Sequence, residues 1–136
     1  EINFFDLAEG KFYLVDLPGY GFADAPKKNV DTWSRLNLNY LRSRSKLRRV
    51  FMLIDARRGV GEVDRNVMKD LDSAAVQYQI VLTKSDKIRK SELPDLVAAT
   101  TATLMKQPAA HPHVLVTSSE KGLGIPELRA TILSLS

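Results

Sequence analysis

The sequence predicts an α/β fold in which a mainly parallel sheet carries helices on both faces and has one antiparallel edge strand. Three observations support this prediction. Short apolar runs, typical of strands buried on both faces, alternate with segments that repeat apolar residues at helical spacing. Two further apolar runs at the start of the chain flank a short turn that contains Gly10. A length of 136 residues suits a single domain.

The predicted elements alternate between strand and helix along most of the chain. Strands are predicted over residues 2–7, 12–16, 49–56, 79–83 and 114–117. Helices are predicted over residues 31–44, 61–75, 92–106 and 126–135. The first two strands form a hairpin, while the later strands are separated by helices and are therefore expected to pair in parallel.

Composition excludes several classes of protein. No stretch approaches the roughly 18 apolar residues that a membrane-spanning helix needs, and the first residues lack the basic start and apolar run of a signal peptide. The chain has no cysteine, which excludes disulfides and thiolate metal sites. We therefore expect a cytoplasmic protein without a membrane partner.

The positive charge is concentrated in one part of the chain. Residues 27–58 contain ten Lys or Arg and two Asp, a net charge of +8, so the remainder carries −4 of the overall +4. Such asymmetry indicates a polyanionic partner. RNA contact is the hypothesis for five bases in this region, and the alternative is a solvated helix end, where cations are favoured. The five are Arg42, Arg44, Lys46, Arg48 and Arg49.

The first motif, Asp16-Leu17-Pro18-Gly19, follows the second predicted strand. In open α/β sheets, ligands bind where strands end and loops begin. A carboxylate at such a position can hold Mg²⁺ directly or through water. Gly19 lets its backbone N–H approach a phosphate, because no Cβ stands in the way. The alternative is an ordinary turn that contains Pro and Gly.

The second motif, Thr83-Lys84-Ser85-Asp86, follows the strand predicted over residues 79–83. An ionised carboxylate accepts two parallel hydrogen bonds. Asp86 can therefore select guanine, whose N1–H and 2-amino group form such a donor pair, over adenine, which lacks it. The stem of Lys84 can lie along the purine ring. The alternative is a polar loop between a strand and a helix.

The third motif, Thr117-Ser118-Ser119, follows the last predicted strand. A backbone N–H near Ser119 can donate to guanine O6, and Ser118 can brace the loop. The alternative is a Ser-rich turn before a flexible Gly-Leu-Gly. Because the three motifs occur in order, each at the end of a predicted strand, together they favour a nucleotide site more strongly than any one alone.

At these motifs the sequence resembles GTPases of the translation-factor class, which have the P-loop GTPase (Ras-like) fold. Within that class it closely resembles the EngB family of the TrmE-Era-EngA-EngB-Septin-like superfamily. The resemblance covers essentially the whole chain, and Thr83 in the second motif is part of it. The stretches that carry it are Asp16-Leu17-Pro18-Gly19-Tyr20-Gly21-Phe22-Ala23, Trp33 and Ile54-Asp55-Ala56-Arg57-Arg58-Gly59.

The resemblance implies a bacterial protein that binds GTP and GDP with Mg²⁺, hydrolyses GTP slowly, acts in large ribosomal subunit assembly and is needed for normal septation. The partner it implies is a ribosomal subunit or rRNA, and no DNA is expected. Asp16 would hold Mg²⁺ through water. The nucleotide-binding residues it implies are Asp16, Leu17, Pro18, Gly19, Thr83, Lys84, Ser85, Asp86, Thr117, Ser118 and Ser119.

One family feature is missing from the sequence. No G-x-x-x-x-G-K-[ST] stretch, the loop that grips the β- and γ-phosphates, occurs in the chain. We therefore expect residues 1–136 to be an EngB-type G domain that lacks its first strand, phosphate loop and first helix. About 30 residues or more would then precede Glu1.

Tyr20 stands where Ras-like enzymes have a glutamine that orients water. A phenol is a poor substitute, so we expect little hydrolysis without a partner RNA, a partner protein or a monovalent cation. Two alternatives to a GTPase stay open. One is a nucleotide-free interaction module of the same fold, which the missing loop favours. The other is a dinucleotide-binding or receiver-type domain, although neither a Gly-rich first turn nor an acidic pocket is visible.

Overall fold

The computed structural model describes residues 3–7, 12–16 and 47–135. Within these ranges five strands and three α-helices follow one another along the chain. The strands are β1 (Asn3–Leu7), β2 (Phe12–Asp16), β3 (Val50–Asp55), β4 (Tyr78–Thr83) and β5 (Leu115–Val116). The helices are α1 (Glu62–Ser73), α2 (Leu93–Leu104) and α3 (Ile125–Leu133), with a 3₁₀ turn at Ser85–Lys87. The helix predicted over residues 31–44 lies outside the described residues.

The predicted hairpin is confirmed. β1 and β2 pair antiparallel, from Asn3 opposite Asp16 to Leu7 opposite Phe12. Among the described strands, these two form a sheet of their own, and no described pairing joins them to the parallel sheet. The predicted placement of an antiparallel strand at the edge of that sheet therefore stays a prediction.

The other three strands form a parallel sheet in the order β3-β4-β5. β4 lies in the centre, and all its residues except Thr83 are buried. Its run Ile80-Val81-Leu82 is completely inaccessible to solvent, as the apolar pattern predicts. The core continues from this strand to buried side chains of α1 and α2, among them Met68 and Leu104.

β3 differs from its prediction as a strand buried on both faces. Met52 and Ile54 are buried in the core, but Leu53 between them is 63% exposed among the described residues. The reason is positional, because successive side chains of a strand point to opposite faces. β3 also lies at the edge of the described sheet, with β4 as its sole described neighbour.

The helices begin at residues that suit their first turns. The carboxylate of Asp64 accepts a hydrogen bond from the backbone N–H of Gly61 at 2.8 Å, just before α1. α2 and α3 each have a proline in the first turn, where its missing N–H costs nothing. No helix in the described ranges is long and apolar enough to cross a membrane.

Candidate functional site

The second and third sequence motifs meet at the carboxyl edge of the parallel sheet. β4 ends at Thr83 and β5 ends at Val116, and because the two strands are parallel neighbours their following loops lie side by side. Two backbone hydrogen bonds join them. The N–H of Ser85 donates to the carbonyl of Thr117 at 3.1 Å, and the N–H of Thr117 donates to Leu82 at 2.8 Å.

Ser118 connects the third motif to Asp86 directly. Its hydroxyl donates to Oδ1 of Asp86 at 2.7 Å and accepts from the backbone N–H of Lys121 at 3.2 Å. The Ser118 side chain is completely buried. Two further backbone bonds with Leu123 close the loop that contains it. One oxygen of the carboxylate is thereby bound to a buried hydroxyl within a hydrogen-bonded loop.

Asp86 is an ionised acceptor whose side chain is 10% exposed. The hydrogen bond from Ser118 is the main cause that holds the pKa of Asp86 below its usual value, and the ammonium of Lys87 also lowers it. Lys87 Nζ lies 3.7 Å from Oδ2 of Asp86 and 3.3 Å from Oε2 of Glu120. A carboxylate with this pKa is deprotonated at neutral pH and accepts hydrogen bonds only.

Lys84 has a left-handed backbone, with φ 56° and ψ 38°. Residues other than glycine seldom adopt this conformation, and such positions concentrate at functional sites. Its side chain is 58% exposed, and its ammonium lies 3.6 Å from Oδ2 of Asp55. The stem is therefore accessible to a ligand while its charged end is paired.

Asp55 brings a third loop to this edge of the sheet. It is the last residue of β3, and its carboxylate accepts three hydrogen bonds from Arg57: from the backbone N–H at 2.9 Å, from Nε at 3.1 Å and from NH2 at 2.7 Å. The Arg57 side chain is the main cause that holds the pKa of Asp55 well below its usual range. Sequence reasoning missed Asp55 as a site residue, although its position at a strand end within Asp55-Ala56-Arg57 was a usable signal.

The other hydroxyl-bearing residues of the two motifs differ in exposure. Thr117 is buried, and its hydroxyl donates to the carbonyl of Leu82 at 3.5 Å. Thr83 donates similarly to Ile54 at 3.4 Å. Both side chains therefore connect neighbouring strands. Ser119 is exposed, and within the described part of the chain its backbone N–H has no acceptor.

Of the first motif, the structure describes Asp16 alone. Asp16 ends β2, where its backbone is paired with Asn3. Leu17, Pro18, Gly19 and Tyr20 lie outside the described residues, and no position is assigned to them. Within the described ranges, no group of three or more acidic or histidine side chains could hold a metal ion by itself.

The bases predicted to contact RNA are described in part. Arg42, Arg44 and Lys46 lie outside the described residues. Arg48 is exposed, whereas Arg49 is partly buried and donates from NH1 to Oε1 of Gln79 at 2.8 Å. Both described bases precede β3, so they lie towards the amino edge of the sheet, opposite the loops that carry Asp86.

Three comparisons with known proteins extend these observations. No family model matches the chain. A protein of Bartonella quintana (strain Toulouse) named "Probable GTP-binding protein EngB" is 58% identical over 120 residues, which are 88% of this chain and 56% of that protein. A protein of the same name from Hyphomonas neptunium is 53% identical over 138 residues, which cover all of this chain and 63% of that protein. The chain thus spans about three fifths of the length of the curated relatives it matches.

Solved structures show the fold. Apo translation elongation factor SelB from Methanococcus maripaludis matches with a TM-score of 0.72 at 20% identity, over 96% of this chain and 26% of that one. A bacterial selenocysteine-specific elongation factor, EF-Sec, matches with a TM-score of 0.69 at 19% identity, over 98% and 21%. The predicted P-loop GTPase type of α/β fold is thereby confirmed. The relatives at 53–59% identity confirm the predicted resemblance, and the chain is homologous to proteins named GTP-binding protein EngB.

Proposed function

We propose that the gene product containing this chain binds GTP and GDP, with Asp86 as the residue that recognises guanine. The observation that carries the proposal is the contact between Ser118 and Asp86: the buried hydroxyl of Ser118 donates to Oδ1 at 2.7 Å and lowers the pKa of the carboxylate. An ionised carboxylate of fixed orientation matches the paired N1–H and 2-amino donors of guanine. The names of the relatives, which describe GTP-binding proteins, support the same ligand.

Two neighbouring groups complete a site for the base. The exposed stem of Lys84 offers an apolar surface against one face of the purine. The backbone N–H of Ser119, which has no acceptor within the described ranges, can donate to O6 of guanine, which adenine replaces with an amino group. The amino group of adenine would thus face the N–H of Ser119, and neither donor would have an acceptor. Unpaired polar groups of this kind are the strongest basis for rejecting a ligand.

The phosphates and their metal would lie towards the end of β2. Mg²⁺ in nucleotide sites takes one or two carboxylates, several waters and phosphate oxygens, so a single aspartate suits it. Asp16 ends β2 and would hold the ion through water. The bound ion would neutralise phosphate charge. Gly19 would approach the γ-phosphate with its backbone N–H.

Slow, partner-stimulated hydrolysis is part of the proposal, because Tyr20 cannot orient water as an amide does. A monovalent cation, RNA or a protein would supply the missing element. The concentration of positive charge in residues 27–58 supports a ribosomal subunit or rRNA as that partner. We extend the proposal to large-subunit assembly, normal septation and a cytoplasmic location in a bacterium, on the strength of the family resemblance.

A nucleotide-free interaction module is the second candidate. One observation favours it, namely the absence of a G-x-x-x-x-G-K-[ST] stretch from these 136 residues. Nucleotide titration of the complete gene product separates the two candidates, since a module of this kind would bind neither GDP nor ADP.

The test of guanine recognition is Asp86→Asn in the complete gene product. We expect its affinity for labelled GDP to fall about 10- to 100-fold, because a charged acceptor of two hydrogen bonds becomes a neutral amide. Affinity for xanthosine diphosphate should rise, since the new amide donor matches the C2 carbonyl of xanthine. Fluorescence titration with GDP, ADP and xanthosine diphosphate measures all three.

Asp70→Asn is the matched control, because it removes an exposed carboxylate from α1, away from the site. Its GDP affinity should equal that of the unmutated protein. A protein that binds ADP as tightly as GDP, or an Asp86→Asn variant with unchanged preference, would contradict the proposal.

A further inference from the structure

The carboxylate of Asp55 is oriented more completely than an ordinary surface carboxylate. Three hydrogen bonds from Arg57 occupy both oxygens, and 22% of the Asp55 side chain is exposed. A bidentate guanidinium fork fixes the plane of a carboxylate as well as its position. The backbone N–H of Ala56 also donates to the carbonyl of Thr83 at 2.8 Å, so this loop is tied to the end of β4.

The next residue after Thr83 is Lys84, whose ammonium lies 3.6 Å from Oδ2 of Asp55. That oxygen also accepts from Arg57 NH2 at 2.7 Å, so its position does not depend on the lysine. Asp55 therefore acts as a fixed anchor and Lys84 as the flexible partner. From its left-handed backbone, the side chain of Lys84 reaches the end of β3, as the ion pair with Asp55 shows.

We propose that Asp55 is a positioning residue of the nucleotide site, which holds the ammonium of Lys84 so that the lysine stem is already extended where the purine ring will lie. This inference rests on the proposed function. A free lysine side chain loses most of its rotamer freedom when it packs on a ligand. An anchored one has lost part of that freedom before the ligand arrives, so binding is tighter.

The two carboxylates of the site also have different cations beside them. Asp55 pairs with Arg57 and Lys84, and Asp86 pairs with Lys87 across the neighbouring loop. Asp55 thereby contributes to affinity through Lys84, while guanine selectivity stays with Asp86.

A double-mutant cycle tests this role in the complete gene product. Asp55→Asn removes the anchor, and Lys84→Met removes the ammonium but keeps an unbranched apolar stem. Each single change should weaken GDP binding about two- to fivefold, the effect of one partly exposed ion pair. The GDP affinity of the double variant should be no lower than that of the single variant with the lower affinity, because both changes break the same interaction.

Selectivity provides a readout that general damage to the fold would not preserve. The ratio of GDP to ADP affinity should be unchanged in Asp55→Asn, and Asp55→Glu, which keeps the charge, should recover at least half of the lost affinity. Asp70→Asn is again the matched control for removal of one carboxylate. Circular dichroism melting of every variant identifies any that fails to fold.

Two outcomes would overturn the inference: unchanged GDP affinity in Asp55→Asn, or losses in Asp55→Asn and Lys84→Met that multiply in the double variant. Each leaves guanine binding by the unmutated protein intact, so the proposed function would survive. Absence of any preference for GDP over ADP in the unmutated protein would overturn both proposals together. Poor folding of Asp55→Asn would shift the cycle to Asp55→Ala paired with Lys84→Met, where the same non-additivity is expected.

Discussion

At the scale of single residues, Ser118 is the side chain on which the orientation of Asp86 depends. Its hydroxyl donates to that carboxylate and accepts from the N–H of Lys121. A hydroxyl can do both because it has one donor and two lone pairs. Ser118 is completely buried, so its hydroxyl makes this contact away from solvent.

Ser118→Ala should therefore weaken GDP binding by the complete gene product about three- to tenfold at neutral pH, since Asp86 loses its orienting donor. The pH dependence should change as well. The Ser118 hydrogen bond stabilises the ionised form and lowers the pKa of Asp86, so its removal raises that pKa. GDP affinity, which needs the ionised form, should then begin to fall at a higher pH than in the unmutated protein.

The measurement is GDP affinity between neutral pH and the onset of acid unfolding. Ser91→Ala, which removes an exposed hydroxyl in the loop before α2, is the control. Coincident pH profiles for Ser118→Ala and the unmutated protein would show that the hydroxyl has no influence on the titration of Asp86.

At the scale of secondary-structure elements, the start of α3 depends on Gly124. This residue has φ 73°, and a Cβ added to it would lie 1.8 Å from the carbonyl oxygen of Val116. The helix thus begins directly against the end of β5, and the close approach brings the loop containing Ser118 into the site. Gly122 has nearly the same φ, 72°, but no atom of the described residues lies within 4 Å of its added Cβ.

These two glycines form a matched pair for substitution by alanine. Gly122→Ala should destabilise the fold by about 1 kcal/mol, the cost of a left-handed backbone for a residue with a Cβ. Gly124→Ala should cost about 3 kcal/mol or more, because the same conformational cost is joined by a clash with backbone that cannot move freely. Urea unfolding monitored by circular dichroism gives both free energies. Equal losses in the two variants would contradict the close approach seen at Val116.

The elements also show where hydrophobic pattern is a good predictor and where it is not. The Ile80-Val81-Leu82 run predicts a strand buried on both faces, and β4 is one. The run that contains Leu53 has the same character, yet Leu53 is mostly exposed. Apolar composition indicates a strand in both cases. Whether one or both faces of the strand are covered depends on which elements pack against it, and the composition of the strand does not give that.

At the scale of the whole molecule, the candidate site is assembled from loops that follow three neighbouring strands. Asp55 is the last residue of β3, Lys84 and Asp86 follow β4, and Ser118 follows β5. Parallel pairing places all three loops at one edge of the sheet. A ligand that contacts these loops holds the strands together, so it should stabilise the folded state as a whole.

GDP at about 100 times its Kd should accordingly raise the Tm of the complete gene product by about 5–10 °C, because binding at that ratio adds about 2.7 kcal/mol to the free energy of unfolding. ADP at the same concentration should leave the Tm unchanged. Differential scanning fluorimetry measures both. Equal shifts with the two nucleotides would point to binding without recognition of the base.

The sequence by itself determined the elements and the principal candidate residues. Periodic apolar runs, together with glycines and prolines, act within a few residues of one another, so their pattern predicts strands, helices and turns. Asp86 and Ser118 were identified as members of separate motifs at predicted strand ends. Their contact was not predictable in its geometry, because a hydrogen bond between residues 32 positions apart depends on which strands are neighbours and in what register.

The tertiary structure alone decided the contacts that join distant segments. It placed Asp55 beside Lys84, and it directed Arg49 from the predicted basic surface towards Gln79. It also placed Gly124 against β5. The physical reason is common to all three. The local sequence pattern determines whether a segment forms a turn or a strand. The position of a charged side chain relative to another loop depends instead on packing between segments that are distant in the sequence.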